Sequence, residues 1–176
     1  MKKQITMQIM SFAVLVAFLC MPVSASAQGS KADFSGKWAL NAEKSDLGQS
    51  PQGGGRMGGF GGGDFTATQA AGVLTVESTR PGQDGQTVTM TSKYNLDGKE
   101  SVNSTGRGES RSTAAWSADG KSLTIVTTRK MERDGQSMEF KTNEVWTLTG
   151  PSALSIVRTM TTPNGEMKTT MVYDKK

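Results

Sequence analysis

The chain contains no histidine and a single cysteine, Cys20, which removes most side-chain chemistry at once. Without imidazole there is no Ser-His-Asp triad, no Cys-His dyad and no histidine-held metal. What remains is a set of charges placed where strand alternation calls for apolar residues. Arg129 follows Leu123, Ile125 and Thr127 in step, Glu144 lies in step with Phe140 and Trp146, and Arg158 sits within the row Leu154, Ile156 and Met160. Arg80 likewise extends Leu74, Val76 and Ser78. Charge away from water is costly, so such groups pair, stay wet, or meet a ligand of opposite sign.

Two readings are open. One is an anionic head-group site, where a planar guanidinium fork meets a carboxylate with two parallel hydrogen bonds. The other is an Arg129–Glu144–Arg158 network that ties neighbouring strands together. The candidate ligand-binding residues are Arg129, Glu144 and Arg158, with Tyr94, Trp116, Trp146, Met90 and Met160 as walls. Catalysis is not expected, because Glu144 is the one carboxylate on that face and acid–base chemistry usually shows a second titrating group. No cofactor and no metal are expected.

The elements that must position these residues are strands. From Asp64 onward, short Thr/Val/Met-rich runs alternate with Asp84-Gly85, Asp97-Gly98, Asp119-Gly120, Asp134-Gly135 and Asn164-Gly165, dipeptides that supply the positive φ of tight hairpins. Ala70-Ala71-Gly72 and Gly150-Pro151-Ser152 punctuate two further places. The runs predict ten strands: 34–40, 65–69, 73–80, 86–94, 99–104, 109–116, 121–131, 136–148, 154–162 and 166–174. Asn41 to Leu47 predicts one helical turn, with Asn41 as its cap.

Alternation puts Phe34, Trp38, Leu40, Leu74, Val76, Val88, Met90, Tyr94 and Trp116 on one face. Leu123, Ile125, Met138, Phe140, Trp146, Leu148, Leu154, Ile156, Met160, Met171 and Tyr173 continue it. The other face is mainly Thr, Ser, Lys and Glu. Consecutive hairpins make an all-β, antiparallel up-and-down meander of about ten strands, and a sheet of that size curls and closes into a barrel.

Lys2 and Lys3, the apolar run Phe12 to Leu19, and Ala25-Ser26-Ala27 have the form of a signal peptide over 1–27, cut after Ala27. The expectation is an exported bacterial protein, periplasmic or secreted, with one domain over 28–176 and no stable membrane insertion after cleavage. The formal charge of +4 is small and scattered, without a basic stripe, so no nucleic-acid partner is expected. Gly53 to Gly63, glycine except at Arg56, Met57 and Phe60, predicts a flexible loop over 48–64.

Phe34, Gly36 and Trp38 near the start, and Met171-Val172-Tyr173 near the end, resemble the calycin superfamily of lipocalins and fatty-acid-binding proteins. The pattern is most similar to a group of secreted bacterial lipocalin-like proteins. The resemblance implies a lipocalin-like barrel around a cavity for a small apolar or amphipathic molecule, with Gly36, Trp38 and Tyr173 as structural residues and Trp38 closing one end. Two departures stand out. Met171 occupies the place of the arginine that holds the ligand carboxylate in fatty-acid-binding proteins, and the last strand has no arginine to pack over the tryptophan. Two functions therefore stay open: binding of a hydrophobic or amphipathic small molecule, an anionic one included, without catalysis, or a structural or interaction module of the envelope with a filled barrel.

Overall fold

Short β-branched runs separated by turns of a few residues can pair only with their sequence neighbours, and the chain does so almost throughout. The structure, a computed structural model, describes residues 30–48, 62–81, 85–105, 108–133, 136–162 and 165–176. The expected leader and most of the Gly53–Gly63 stretch lie outside them. Ten strands form: β1 Gly36–Leu40, β2 Phe65–Ala70, β3 Val73–Pro81, β4 Thr87–Asn95, β5 Ser101–Thr105, β6 Gly108–Trp116, β7 Ser122–Arg133, β8 Gln136–Gly150, β9 Ala153–Thr162 and β10 Gly165–Lys175. Each expected strand is present, every one with at least one end moved by one or two residues.

All pairings are antiparallel, in the order β4-β3-β2-β1-β10-β9-β8-β7-β6-β5. β1 joins the first strands to the last, with Trp38 opposite Phe65 on one side and Leu40 opposite Tyr173 on the other. The sheet thus curls until its two ends, β4 and β5, meet at a seam. No backbone ladder crosses the seam; side chains replace it. The Asn103 amide accepts from the Lys93 N–H at 2.7 Å and donates to the Lys93 carbonyl at 3.0 Å. One side chain thereby does for Lys93 what a partner strand would do. The Asn95 N–H donates to the Ser101 hydroxyl at 2.7 Å. The barrel is nearly closed.

The expected helical turn does not form. Asn41 does accept from the Lys44 N–H at 3.1 Å, as a cap would. Asp46 then exchanges two backbone hydrogen bonds with Thr170 at 2.8 and 2.7 Å. β1 ends at Leu40, so β10 offers unpaired backbone just beyond it, and satisfying that backbone outweighs a single helical turn.

The segment before β1 folds under one end of the barrel. The Ala32 N–H donates to Gly120 at 2.9 Å, and the Gln69 side chain donates to the Ala32 carbonyl at 3.1 Å. This drives Phe34 fully inside, where it is 0% exposed, beside Trp38, Leu74, Leu123 and Leu154. The buried core adds Phe65, Ala67, Leu96 and Ala114, which alternation did not single out. Val88 is corrected: it is 41% exposed, because β4 runs past the core toward the other end. Arg80, its partner on β3, is exposed for the same reason.

Gly36 has a φ of +147°, and a side chain there would run into Lys175. Its absence lets Lys175 lie across Trp38, with Nζ 5.4 Å from the ring centroid. A last-strand lysine thus covers the tryptophan where the resemblance implied an arginine.

The two-residue turn between β2 and β3 places Ala71 at φ +50° and Gly72 at φ +76°. Such a turn needs positive φ at both positions, and Ala71 bears the strain of about 1–2 kcal/mol that an L-residue meets there. Ala71→Gly is expected to raise stability by about 0.5–1 kcal/mol in urea unfolding, the gain reduced by the freer unfolded chain. A loss of stability would show that the turn is not strained.

Candidate functional site

The inward faces of the strands build three layers. The first is an aromatic floor. Trp116 stacks on Phe34 at 5.8 Å between centroids, Phe34 meets Trp146 edge-on at 5.7 Å, and Phe65 touches Trp146 at 5.5 Å and Tyr173 at 4.9 Å. These rings cross the barrel without a break. The Trp116 indole N–H is buried there and has no hydrogen-bond partner among the described residues.

Above the floor stands the charged layer. Glu144 and Arg158 are direct partners across β8 and β9. Arg158 Nε and Nη2 both donate to Glu144 Oε1, at 2.8 and 2.6 Å, while Trp146 Nε1 donates to Oε2 at 3.0 Å. Both carboxylate oxygens are thus engaged, and the two side chains are only 15% and 17% exposed. Arg129 does not join them. It lies opposite Phe140, whereas Ile125 is the β7 residue opposite Glu144. Four residues of strand put Arg129 about 13 Å farther along the barrel. Arg129 therefore stands outside the expected three-membered network, and its side chain has no ion pair or hydrogen bond among the described residues.

Tyr94 and Tyr173 line the same interior. Burial pushes the Tyr94 hydroxyl up to about 12; the Glu144 charge adds to this, against a hydrogen bond from Ser92 and the charges of Arg158 and Arg129. Burial likewise pushes Tyr173 up to about 12. Its hydroxyl donates to the Met171 sulfur at 3.5 Å. Across the seam from Tyr94, β5 and β6 present buried Ser101, Asn103, Ser110 and Ser112. The Ser112 and Thr127 hydroxyls bond at 2.8 Å.

The third layer is the rim farthest from Phe34, where Met90, Met138, Phe140, Met160 and Met167 are half-buried. All eight candidate residues fall within these layers: Trp116 and Trp146 in the floor, Glu144, Arg158 and Tyr94 in the middle, Arg129 toward the rim, and Met90 and Met160 at it. Phe65 and the hydroxyl wall were missed. Short strands with small or hydroxyl residues carry little hydrophobic contrast for alternation to report. No group of three His, Cys, Asp or Glu side chains comes together among the described residues as a metal site would need. A groove of about 370 Å³, lined by Lys37, Glu77, Thr79, Thr89 and others, lies against β1–β4. It contains none of the charged candidates, and its Lys176 is already paired with Asp64 at 2.6 Å. The barrel interior is the candidate site.

Glu144→Gln is expected to lower stability by about 2–4 kcal/mol in chemical unfolding. It removes the negative charge that faces the Arg158 cation; the residual exposure keeps the loss below the full-burial range. An unchanged midpoint would show that the pair contributes nothing to folding. A second expectation concerns pH. Both tyrosines are acids whose neutral form the fold favours, so the unfolded chain loses its protons first, near its ordinary value of 10.0. Stability is whole below that pH and falls as pH rises toward about 12. Tyrosinate absorbance should therefore appear only together with loss of the strand signal in circular dichroism; ionisation near the ordinary value with the sheet intact would contradict it.

No protein-family model matches the chain, and no curated protein matches it in sequence. Among solved structures, it is similar to the zebrafish ileal bile acid-binding protein, crystallised in complex with cholic acid. The two are 17% identical over 81% of this chain and 98% of that one, with a TM-score of 0.49. At that distance the likeness carries neither a ligand nor a residue's role across.

Proposed function

We propose that this barrel binds a small amphipathic anion, without catalysis, with the anionic head group at Arg129 and the apolar part against the methionine and aromatic walls. The observation that carries the reading is Arg129 itself, a guanidinium on the inward face of β7, half-buried and without an ion pair or hydrogen bond among the described residues. A cation held partly out of water gains most from an anion that brings its own negative charge, and the guanidinium fork fits a carboxylate. Arg158 is unsuited to that task because Glu144 already engages it. Half-buried Phe140, opposite Arg129, and Met160 at the rim supply apolar surface for a tail. The signal-like residues 1–27 support the further proposal that the chain works outside the cytoplasm, beginning at Gln28 after cleavage.

Arg129→Met is expected to hold or raise the stability of the free protein while weakening anilinonaphthalene sulfonate binding by roughly tenfold or more. Binding of neutral Nile red should change little. Arg158→Met should instead lower stability, because it leaves Glu144 unpaired inside. Equal probe affinities in Arg129→Met and the parent would rule out the head-group role. If neither probe binds the parent, the filled-barrel interaction module becomes the better reading. Native mass spectrometry of the protein taken from its own host reads the N-terminus and any co-purifying ligand together.

A further inference from the structure

The rim of the barrel is unusual in which apolar residue it uses. Met90, Met138, Met160 and Met167 come from β4, β8, β9 and β10. Each lies within three residues of the end of its strand. Each also has the inward register. Met90 shares its face with Tyr94, Met138 with Glu144 and Trp146, Met160 with Arg158, and Met167 with Met171. Met160 and Met167 face each other directly across β9 and β10, and Thr142 completes their row on β8. All four residues are half-buried, at the strand ends where the lining meets solvent. Met171, four residues deeper on β10 than Met167, is 1% exposed and its sulfur accepts the Tyr173 hydroxyl. The strands therefore place half-buried methionines at the rim and a fully buried one deeper inside. The chain has no other soft nucleophile to intercept an oxidant beyond Cys20 and its methionines.

We propose that these four methionines are a modification site, oxidised to sulfoxides by peroxide-class oxidants, and that their oxidation releases the barrel's apolar ligand. The second half rests on the ligand-binding reading above. The step balances with peroxide alone. The thioether sulfur gives an electron pair to the nearer peroxide oxygen, the O–O bond breaks, an S–O bond forms, and the other oxygen leaves as water. Sulfur is oxidised and peroxide reduced. The product is a dipolar acceptor in place of an apolar surface, and methionine sulfoxide reductases reverse it. A lining that was dry against an apolar tail then holds water, and binding weakens.

Limited hydrogen peroxide treatment of the full mature protein, followed by peptide mass mapping, should show one added oxygen at Met90, Met138, Met160 and Met167 well before Met171. Nile red affinity should fall by roughly tenfold over the same course. Methionine sulfoxide reductases should restore it. The combined variant Met90→Leu, Met138→Leu, Met160→Leu and Met167→Leu, measured against its own untreated Nile red affinity, should keep that affinity through peroxide treatment. Met160→Leu with Met167→Leu alone, the directly paired residues, should keep most of that resistance if the fourfold variant does not fold. Oxidation of Met171 as early as the rim would overturn the site, and peroxide sensitivity persisting in the leucine variants would overturn the release. Failure of the untreated parent to bind Nile red would instead sink the ligand-binding reading and the release with it, while the order of oxidation still decides whether the rim is the modified site.

Discussion

One ring, Phe34, sets the terms for the rest of the barrel. It lies outside any strand, yet it is completely buried, because the segment carrying it is drawn under the sheet by Gly120 and Gln69. Its carbonyl accepts the Trp38 indole N–H at 2.9 Å, so the residue that seals the floor also satisfies the polar atom of the tryptophan beside it. Trp116 and Trp146 pack on its two sides. Aromatic contacts of this kind stabilise by about 0.5–1.5 kcal/mol each beyond the area they bury.

A sealed end has electrostatic consequences. Rings crowd that end, and the polar groups beside them bond within the protein, the Trp116 indole N–H excepted. Glu144 does so completely, with Arg158 on one oxygen and Trp146 on the other. The low local dielectric strengthens those bonds and would equally magnify the loss of any partner. Arg129, farther from the floor and half-buried, lives under looser terms. The same layering separates a packed methionine, Met171, from the half-buried methionines at the rim.

The seam between β4 and β5 shows a different compromise. A barrel without a final ladder leaves backbone groups to be satisfied individually, and Asn103 does this with a side chain that imitates a peptide unit. Few bonds hold these edges compared with the ladder of twelve residue pairs between β7 and β8. Local opening should therefore start at the seam, since stability is lowest where contacts and hydrogen bonds are fewest.

The amino-acid sequence by itself determined the local half of this structure. Strand identity and inward or outward facing follow from a period of two, and glycine at the turns follows from positive φ, so ten strands and most of the inward-facing positions were legible. The partners were not. Whether Glu144 meets Arg129 or Arg158 depends on register between strands, where one residue of slip would turn a side chain to the other face. The helical turn after Asn41 failed because β10, far away in sequence, offered backbone that no local pattern could announce. Lys175 covers Trp38 only because barrel closure brings the first and last strands together at a glycine. Phe65, Ala67 and Ala114 joined the core although their strands lack contrast. Tertiary structure decided these points because each is a contact between residues distant in the chain, and only the closed barrel sets the distances between them.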